Sequence, residues 1–347
     1  MKMPICPNRE CPCHCNGESE NIVPHGFYNT KAGKRRRFGC LVCGKTFCST
    51  IGTAYYRLQH PRSTFDEVAA LSVEGVNKSA ISRVKSIAWN TVHRWLERAA
   101  TSCQIFTSSN TGVIDLRELQ ADEIRTFVGS KKTPVWIFAA LDVWSRYWPA
   151  TVVGKRSFKN TQELFRNVSL DVNPQCVPFI VTDGFDFYEN AARNSFAKCL
   201  YAQVIKTRRK DRIVKVERRM VIGSESQFEL ALLESEDSET LNTSFIERLN
   251  LTIRQATAYL TRRTICFARC SDYLENQLEM FRCYYNFLRP HRALKFGNQI
   301  RTPAMQAGLA KRRFSFRDVF TFRFVLIILV RIESNLVKEK ESWPQAA

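Results

Sequence analysis

The stretch Val177 to Thr182 constrains the fold more than any other: it is short, apolar and β-branched, and it stops abruptly at Asp183-Gly184. Such a run reads as a buried strand. Val113 to Val128, Pro134 to Leu141 and Tyr147 to Val153 read as three strand regions before it, with turns at 129–133 and 143–146. Lys159 to Val168 reads as a helix, and Tyr201 to Lys206 as a further strand. Strands, helix, strand make an α/β sheet, and ligands in such sheets gather beyond the carboxyl ends of the strands. Asp183 therefore stands where a site forms.

Two more acids occupy positions where carboxylates are costly unless used. Asp122, in LQADEIRTFVG, interrupts a strand-like run, and Glu247, in NTSFIERLNLTIRQ, lies on the polar side of an amphipathic helix. In that helix Phe245, Leu249, Ile253, Ala256 and Leu260 recur at three- and four-residue steps and form a buried stripe. Glu247, Asn250, Arg254 and Thr261 fall on another face, which directs Glu247 into a cleft beside the sheet and places Arg254 for a phosphate. Asp122, Asp183 and Glu247 could thus converge on two magnesium ions, the arrangement that stabilises both attacking and leaving oxygens in phosphodiester displacement. Manganese could substitute.

Other acids have simpler uses. Glu123 adjoins Asp122 and should point to the opposite face of the strand, as a supporting or surface group. Asp142 belongs to a hairpin turn, and Asp186 and Glu189 cap or face solvent at a helix start. His291 follows Pro290 and reads as packing or capping locally.

The 347 residues, 44% hydrophobic, suffice for more than one domain. Lys and Arg number 52 against 33 acids, a net charge of +19, which favours nucleic acid over a membrane surface. The N-terminus lacks a signal-like apolar core and Phe324 to Val330 is too short to span a bilayer, so the expectation is a soluble cytoplasmic protein, associated with the nucleoid. Seven of the 13 cysteines fall in the first 48 residues, a clustering that points to metal rather than disulfides. Cys6-x4-Cys11 and Cys40-x2-Cys43 can close a tetrahedral structural zinc site, a ribbon over 1–58. Cys13, His14 and Cys15 crowd Cys11, so spacing alone leaves the first pair open. Between the pairs, Arg35, Arg36 and Arg37 beside Phe27, Tyr28 and Phe38 suit either phosphate contact or a solvated hairpin.

Three short helices over 59–100 read as a helix-turn-helix, with Asn90, Thr91, His93 and Arg94 of the last as DNA-contacting side chains. The Ser- and Thr-rich 101–112 reads as a linker to a catalytic domain over 113–309. Within it, residues 206–219 carry eight Lys or Arg and 225–239 six acids without a base, opposed blocks read as a solvated insertion around 206–240. Leu274 to Leu288 reads as a helix on the catalytic core.

Taken together, CPNREC, KRRRFGCLVCGKTF, NTVHRWLERA, ADEI, VTDGFDFYENA, SFIERLNLTIRQ, YLTRRT and YYNFLRPHRAL make the chain resemble a DDE transposase of the insertion-sequence-one type, from Cys6 to about Ala307. The resemblance implies a ribonuclease-H-like catalytic fold, a mixed sheet flanked by helices, and magnesium-dependent cleavage and strand transfer at the element's own ends. It implies Asp122, Asp183 and Glu247 as catalytic acids and Cys6, Cys11, Cys40 and Cys43 as zinc ligands. Terminal inverted repeats and target DNA are the implied partners, bound by a homo-oligomer. A non-transposing structured-DNA nuclease and a catalytically decayed DNA-binding regulator are the alternatives. The tail, 310–347, departs from the family: a basic aromatic stretch leads into Phe322 to Val330, strand-prone and aggregation-prone unless buried.

Overall fold

Residues 4–15, 20–31, 33–210, 212–235 and 238–323 are described by the computed structural model. First come a one-turn helix, α1 (Pro12–Cys15), and an antiparallel sheet of β1 (Ile22–Thr30), β2 (Gly33–Cys40) and β3 (Thr46–Cys48). Its apolar cluster joins Ile22, Phe38 and Phe47 to four buried cysteines. So small a cluster cannot hold a domain by burial alone, which leaves the sulfurs as the organising feature.

Helices α2 (Arg62–Val73), α3 (Lys78–Lys85) and α4 (Trp89–Asn110) come next in the chain. Asn77 caps α3, its side-chain oxygen accepting from the Ala80 amide at 2.9 Å. Gly75 closes α2 at φ +84°, and a Cβ there would stand 2.6 Å from the Gln255 carbonyl. Only glycine allows that turn and that approach together.

The stretch 101–112 is not a linker: α4 runs unbroken to Asn110. The hydroxyls of Thr101 and Ser102 turn back to the carbonyls of Glu97 and Arg98, at 3.1 and 3.0 Å, which accommodates these residues in a helix. Cys103, Ile105 and Phe106 are buried. Phe106 meets Phe287, Phe314 and Phe322 edge-on at 5.4, 5.0 and 5.5 Å, so the end of α4 belongs to the core of the larger, C-terminal unit.

That unit is built on β4 (Glu118–Phe127), β5 (Pro134–Asp142), β6 (Thr151–Gly154), α5 (Phe158–Ser169), β7 (Phe179–Thr182), α6 (Phe187–Ser195), β8 (Leu200–Arg209) and β9 (Arg212–Ile222). The strands form one six-stranded sheet in the order β6-β5-β4-β7-β8-β9. β4–β7 and β7–β8 are parallel, the other pairs antiparallel. This mixed sheet flanked by helices fits a ribonuclease-H-like fold. All four residues of β7 are buried, as its apolar run requires.

The charged insertion is built rather than merely solvated. Its basic half is the β8–β9 hairpin; its acidic half begins as α7 (Glu225–Leu233), closed by a capping box between Ser224 and Gln227. Phe228 of α7 drops onto Phe179, Val181, Ala202 and Val204. Ser235 and Ser238 then donate to the buried Glu118 carboxylate at 3.1 and 3.0 Å.

Helix α8 (Ser244–Ala256) packs on β4 and β5, and α9 (Ser271–Cys283) packs along α4 before one π-helical turn, Tyr284–Leu288. A two-stranded ribbon, β10 (Lys295–Phe296) and β11 (Gln299–Ile300), leads to α10 (Pro303–Gln306) and α11 (Phe316–Thr321). Phe320 wedges against Tyr55 and Phe65, Arg317 makes two bonds to Asp66 Oδ2 at 2.9 and 2.6 Å, and Arg323 donates to the Ser49 carbonyl at 2.8 Å. The first part of the tail is thus a strap across the helical unit; residues from 324 to Val330 lie outside those described. No helix among the described residues is long and apolar enough to cross a membrane.

Candidate active site

β4 and β7 run parallel, with Ala121 beside Thr182, so the residue after each of the pair, Asp122 in the middle of β4 and Asp183 just past the end of β7, stands at the same level of the sheet. At Gly184 a Cβ would stand 3.0 Å from Ile205 Cγ1 of β8, so a larger residue there would press on that side chain. Asp122, Glu123 and Asp183 bring one carboxylate oxygen each within 4.8 Å of one another. The pair Asp122 and Glu123 alternate across the strand as expected. Asp122 Oδ2 accepts from Asn250 of α8 at 2.8 Å, whereas Glu123 accepts from Tyr188 of α6 at 2.8 Å and from Arg156 Nε at 2.6 Å. α8 and α6 therefore cover opposite faces.

Glu123 was expected to be a supporting or surface group, and it is instead a buried carboxylate, 2% exposed, with an oxygen in the acidic group. Arg156 and Tyr188, far away in sequence, cover it. Glu247 lies in the same cleft but outside that group, paired with Lys206 Nζ and accepting from Thr243 Oγ1 at 2.9 Å. The open cleft, about 580 Å³, is also lined by Arg254 and Arg262.

The electrostatics are compatible with a cation at these acids. Burial pushes the Asp122 carboxyl up to about 7, with the charges of Asp183, Glu123 and Glu247 adding to it against the bond from the Glu123 amide. Burial also raises Asp183, against the Phe185 amide, Arg156 and Lys206, and it raises Glu123, with Asp183 adding to that. Carboxylates this close resist ionising together unless a positive charge joins them. Asn250 Oδ1 is buried without a hydrogen-bond partner, a further oxygen beside Asp122. A hard divalent cation such as magnesium or manganese fits these donors.

The cysteine cluster is a second candidate metal centre. Cys6, Cys11, Cys40 and Cys43 hold their sulfurs within 4.8 Å of one another, with Cys6–Cys43 at 3.5 Å and Cys11–Cys40 at 3.7 Å. Zinc–sulfur bonds of about 2.3 Å in a tetrahedron put sulfurs about 3.8 Å apart, so the four thiols fit zinc. The Cys43 and Val42 amides pull Cys40 down towards the thiolate. Cys13 is buried nearby but outside the four, and His14 Nδ1 bonds the Cys6 carbonyl at 2.6 Å; the Cys15 side chain lies outside the described residues.

The remaining side chains divide. Arg36 lies over Phe27 and Phe38, Arg37 bonds Thr46, and Arg35 is half-buried on the same strand. Asn90 and Arg94 are exposed and Thr91 is partly so. His93 differs from expectation: Lys78 Nζ donates to its Nδ1 at 2.9 Å and Tyr273 packs edge-on at 4.7 Å, so it joins the helical unit to α9 rather than facing outward. Asp142 holds its turn through Ser145, Glu189 pairs with Arg193, and Asp186 precedes α6 without a side-chain cap. His291 packs edge-on against Tyr285 at 4.4 Å, and burial pushes it down to about 4.

No protein-family model matches the chain, and no curated protein is significantly similar to it. Among solved structures it is similar to the Mos1 strand transfer complex at 10% identity and a TM-score of 0.21, over 55% of this chain and 76% of that one. A likeness so weak adds nothing to the geometry.

Proposed function

We propose that the chain is a DDE transposase that binds the terminal repeats of an insertion sequence and catalyses magnesium-dependent cleavage and strand transfer. One observation carries the reading: Asp122, Asp183 and Glu247 line a single cleft with Lys206, Arg254 and Arg262 beyond the carboxyl end of β7 in a mixed sheet. Carboxylates for cations beside cations for phosphates are the two halves of a phosphodiester site.

In this reading Asp122, Asp183 and Glu247 are the catalytic acids, with Glu123 beside them. Bound magnesium or manganese would activate water, then a 3′-hydroxyl, and stabilise the leaving oxygen. Asn250 orients Asp122, and the Phe185 amide, 3.0 Å from Asp183 Oδ1, orients Asp183. Arg254 and Arg262 hold the DNA backbone at the cleft. The zinc ribbon, over 1–58, and a helix-turn-helix, over 59–100, bind the terminal repeats through Arg35, Arg36 and Arg37 and through Asn90, Thr91 and Arg94. A homo-oligomer on DNA, at the nucleoid, is the form that processes two ends together.

The test uses the full chain and DNA bearing the ends that flank its gene. Asp183→Ala should abolish magnesium-dependent end cleavage and keep end binding; cleavage that survives refutes the assignment. Cleavage without transfer into target DNA identifies a nuclease, and specific binding with no cleavage in magnesium or manganese identifies a decayed regulator.

A further inference from the structure

Glu247 is exposed at the mouth of the cleft, yet its carboxylate is not loose. Lys206, within β8 and lining the cleft, donates to Thr243 Oγ1 at 3.0 Å and pairs with Glu247 Oε1, and the Thr243 hydroxyl donates to the same Oε1 at 2.9 Å. One ammonium and one hydroxyl thus hold Glu247 outside the group formed by Asp122, Glu123 and Asp183. The Lys206 charge also acts on Asp183 across the cleft. With Arg156, which pairs with Glu123 and also acts on Asp183, the lysine brings positive charge to the acidic site, and it is the lysine that holds Glu247.

We propose that Lys206 positions Glu247 in the metal-free site and, once a divalent cation draws Glu247 inward, turns its freed ammonium to a phosphate oxygen of the DNA. This rests on the proposed phosphodiester chemistry, but its first half concerns the chain and a cation alone. An ammonium and a divalent ion compete for one carboxylate, so the lysine weakens cation binding while it prepares the phosphate contact. A lysine that only braced the surface would do neither.

The experiment compares wild type with Lys206→Met in the full-length protein. Manganese is titrated without DNA, following bound ion by electron paramagnetic resonance, and DNA-end cleavage is measured at saturating manganese. Loss of a half-exposed ion pair should tighten manganese binding by about fivefold, while cleavage should fall by roughly tenfold, as expected for a lost charge-assisted phosphate bond. Lys206→Arg should restore cleavage in part. Manganese binding that weakens or stays the same overturns the positioning role. Tighter binding with unchanged cleavage overturns the phosphate contact. If wild type cleaves no DNA, the transposase reading fails, while the manganese titration still decides whether Lys206 competes for Glu247. Lys206→Gln repeats the comparison should the methionine variant fold poorly.

Discussion

Replacing Asp122 with asparagine should make the metal-free protein more stable at pH 8 while removing its response to divalent cations. The carboxyl is pushed up to about 7 from an ordinary value of 3.8, chiefly by burial. A carboxyl raised in this way binds its proton more tightly in the folded chain. Its stabilising contribution is complete below the unfolded value and is lost as pH rises through 7. Three pH units correspond to about 4 kcal/mol, which water at the open side of the cleft reduces to about 2 kcal/mol. Asparagine has the same shape and no charge to bury. Its oxygen can keep the Glu123 amide, and its NH2 can donate to Asn250 Oδ1, the oxygen now buried without a partner, once the Asn250 amide turns over. Urea unfolding at pH 8 and pH 4, with and without manganese, measures all of this. The variant should be about 2 kcal/mol more stable at pH 8, with the gap shrinking severalfold by pH 4 and no manganese stabilisation left. A variant less stable than wild type at pH 8, or a gap independent of pH, would refute the electrostatic argument.

Metal analysis should find one zinc per chain, and Cys40→Ser should lose it together with amide protection across β1 to β3, leaving α4 and the sheet protected; retained zinc would point to Cys13 as a substitute ligand. Phe106→Ala removes a ring held by three others and should cost about 3–5 kcal/mol, read by denaturant midpoint; a cost below about 1 kcal/mol would mean that the end of α4 is not in the core. On the DNA-binding proposal, Arg94→Gln should lower the salt dependence of end binding by about one counterion whereas His93→Gln should leave that slope alone. Equal slopes for the two would contradict the inward-facing contacts of His93 with Lys78 and Tyr273.

Legibility depended on how local each signal is. The continuous apolar run ending at Asp183 and the periodic stripe through Leu249, Ile253 and Ala256 are local patterns imposed by burial, and they became a strand, starting at Phe179 with Val177 exposed, and a helix. The acidic group was harder to read. Alternation puts Glu123 on the far face, but nothing near it in sequence announces that Arg156 and Tyr188 will bury it there. Glu247 does line a cleft with Asp122 and Asp183, as its face of the helix implies, while its lysine partner sits 41 residues away on β8. The helix through 101–110 has a sequence signal of its own beside the Ser and Thr content that suggests a linker. Val92, Trp95, Leu96, Ala99, Ala100, Cys103 and Phe106 keep the three- and four-residue step, which outweighs the Ser and Thr content. His93 was judged by its chemistry, and only the contacts of Lys78 and Tyr273 show that it faces inward.

The length of α4 has a further consequence. Its 22 residues at about 1.5 Å each span roughly 33 Å, and the stretch from exposed Asn90 to Phe106 in the core of the C-terminal unit takes up roughly 24 Å of that. No joint interrupts it, and α9 and α11 brace its sides. On the proposed reading such a rod is a ruler: it fixes how far along the duplex a cut can fall from the bases that α4 touches. At about 3.4 Å per base pair, the stretch from Asn90 to Phe106 corresponds to about seven base pairs, short of one turn of the double helix.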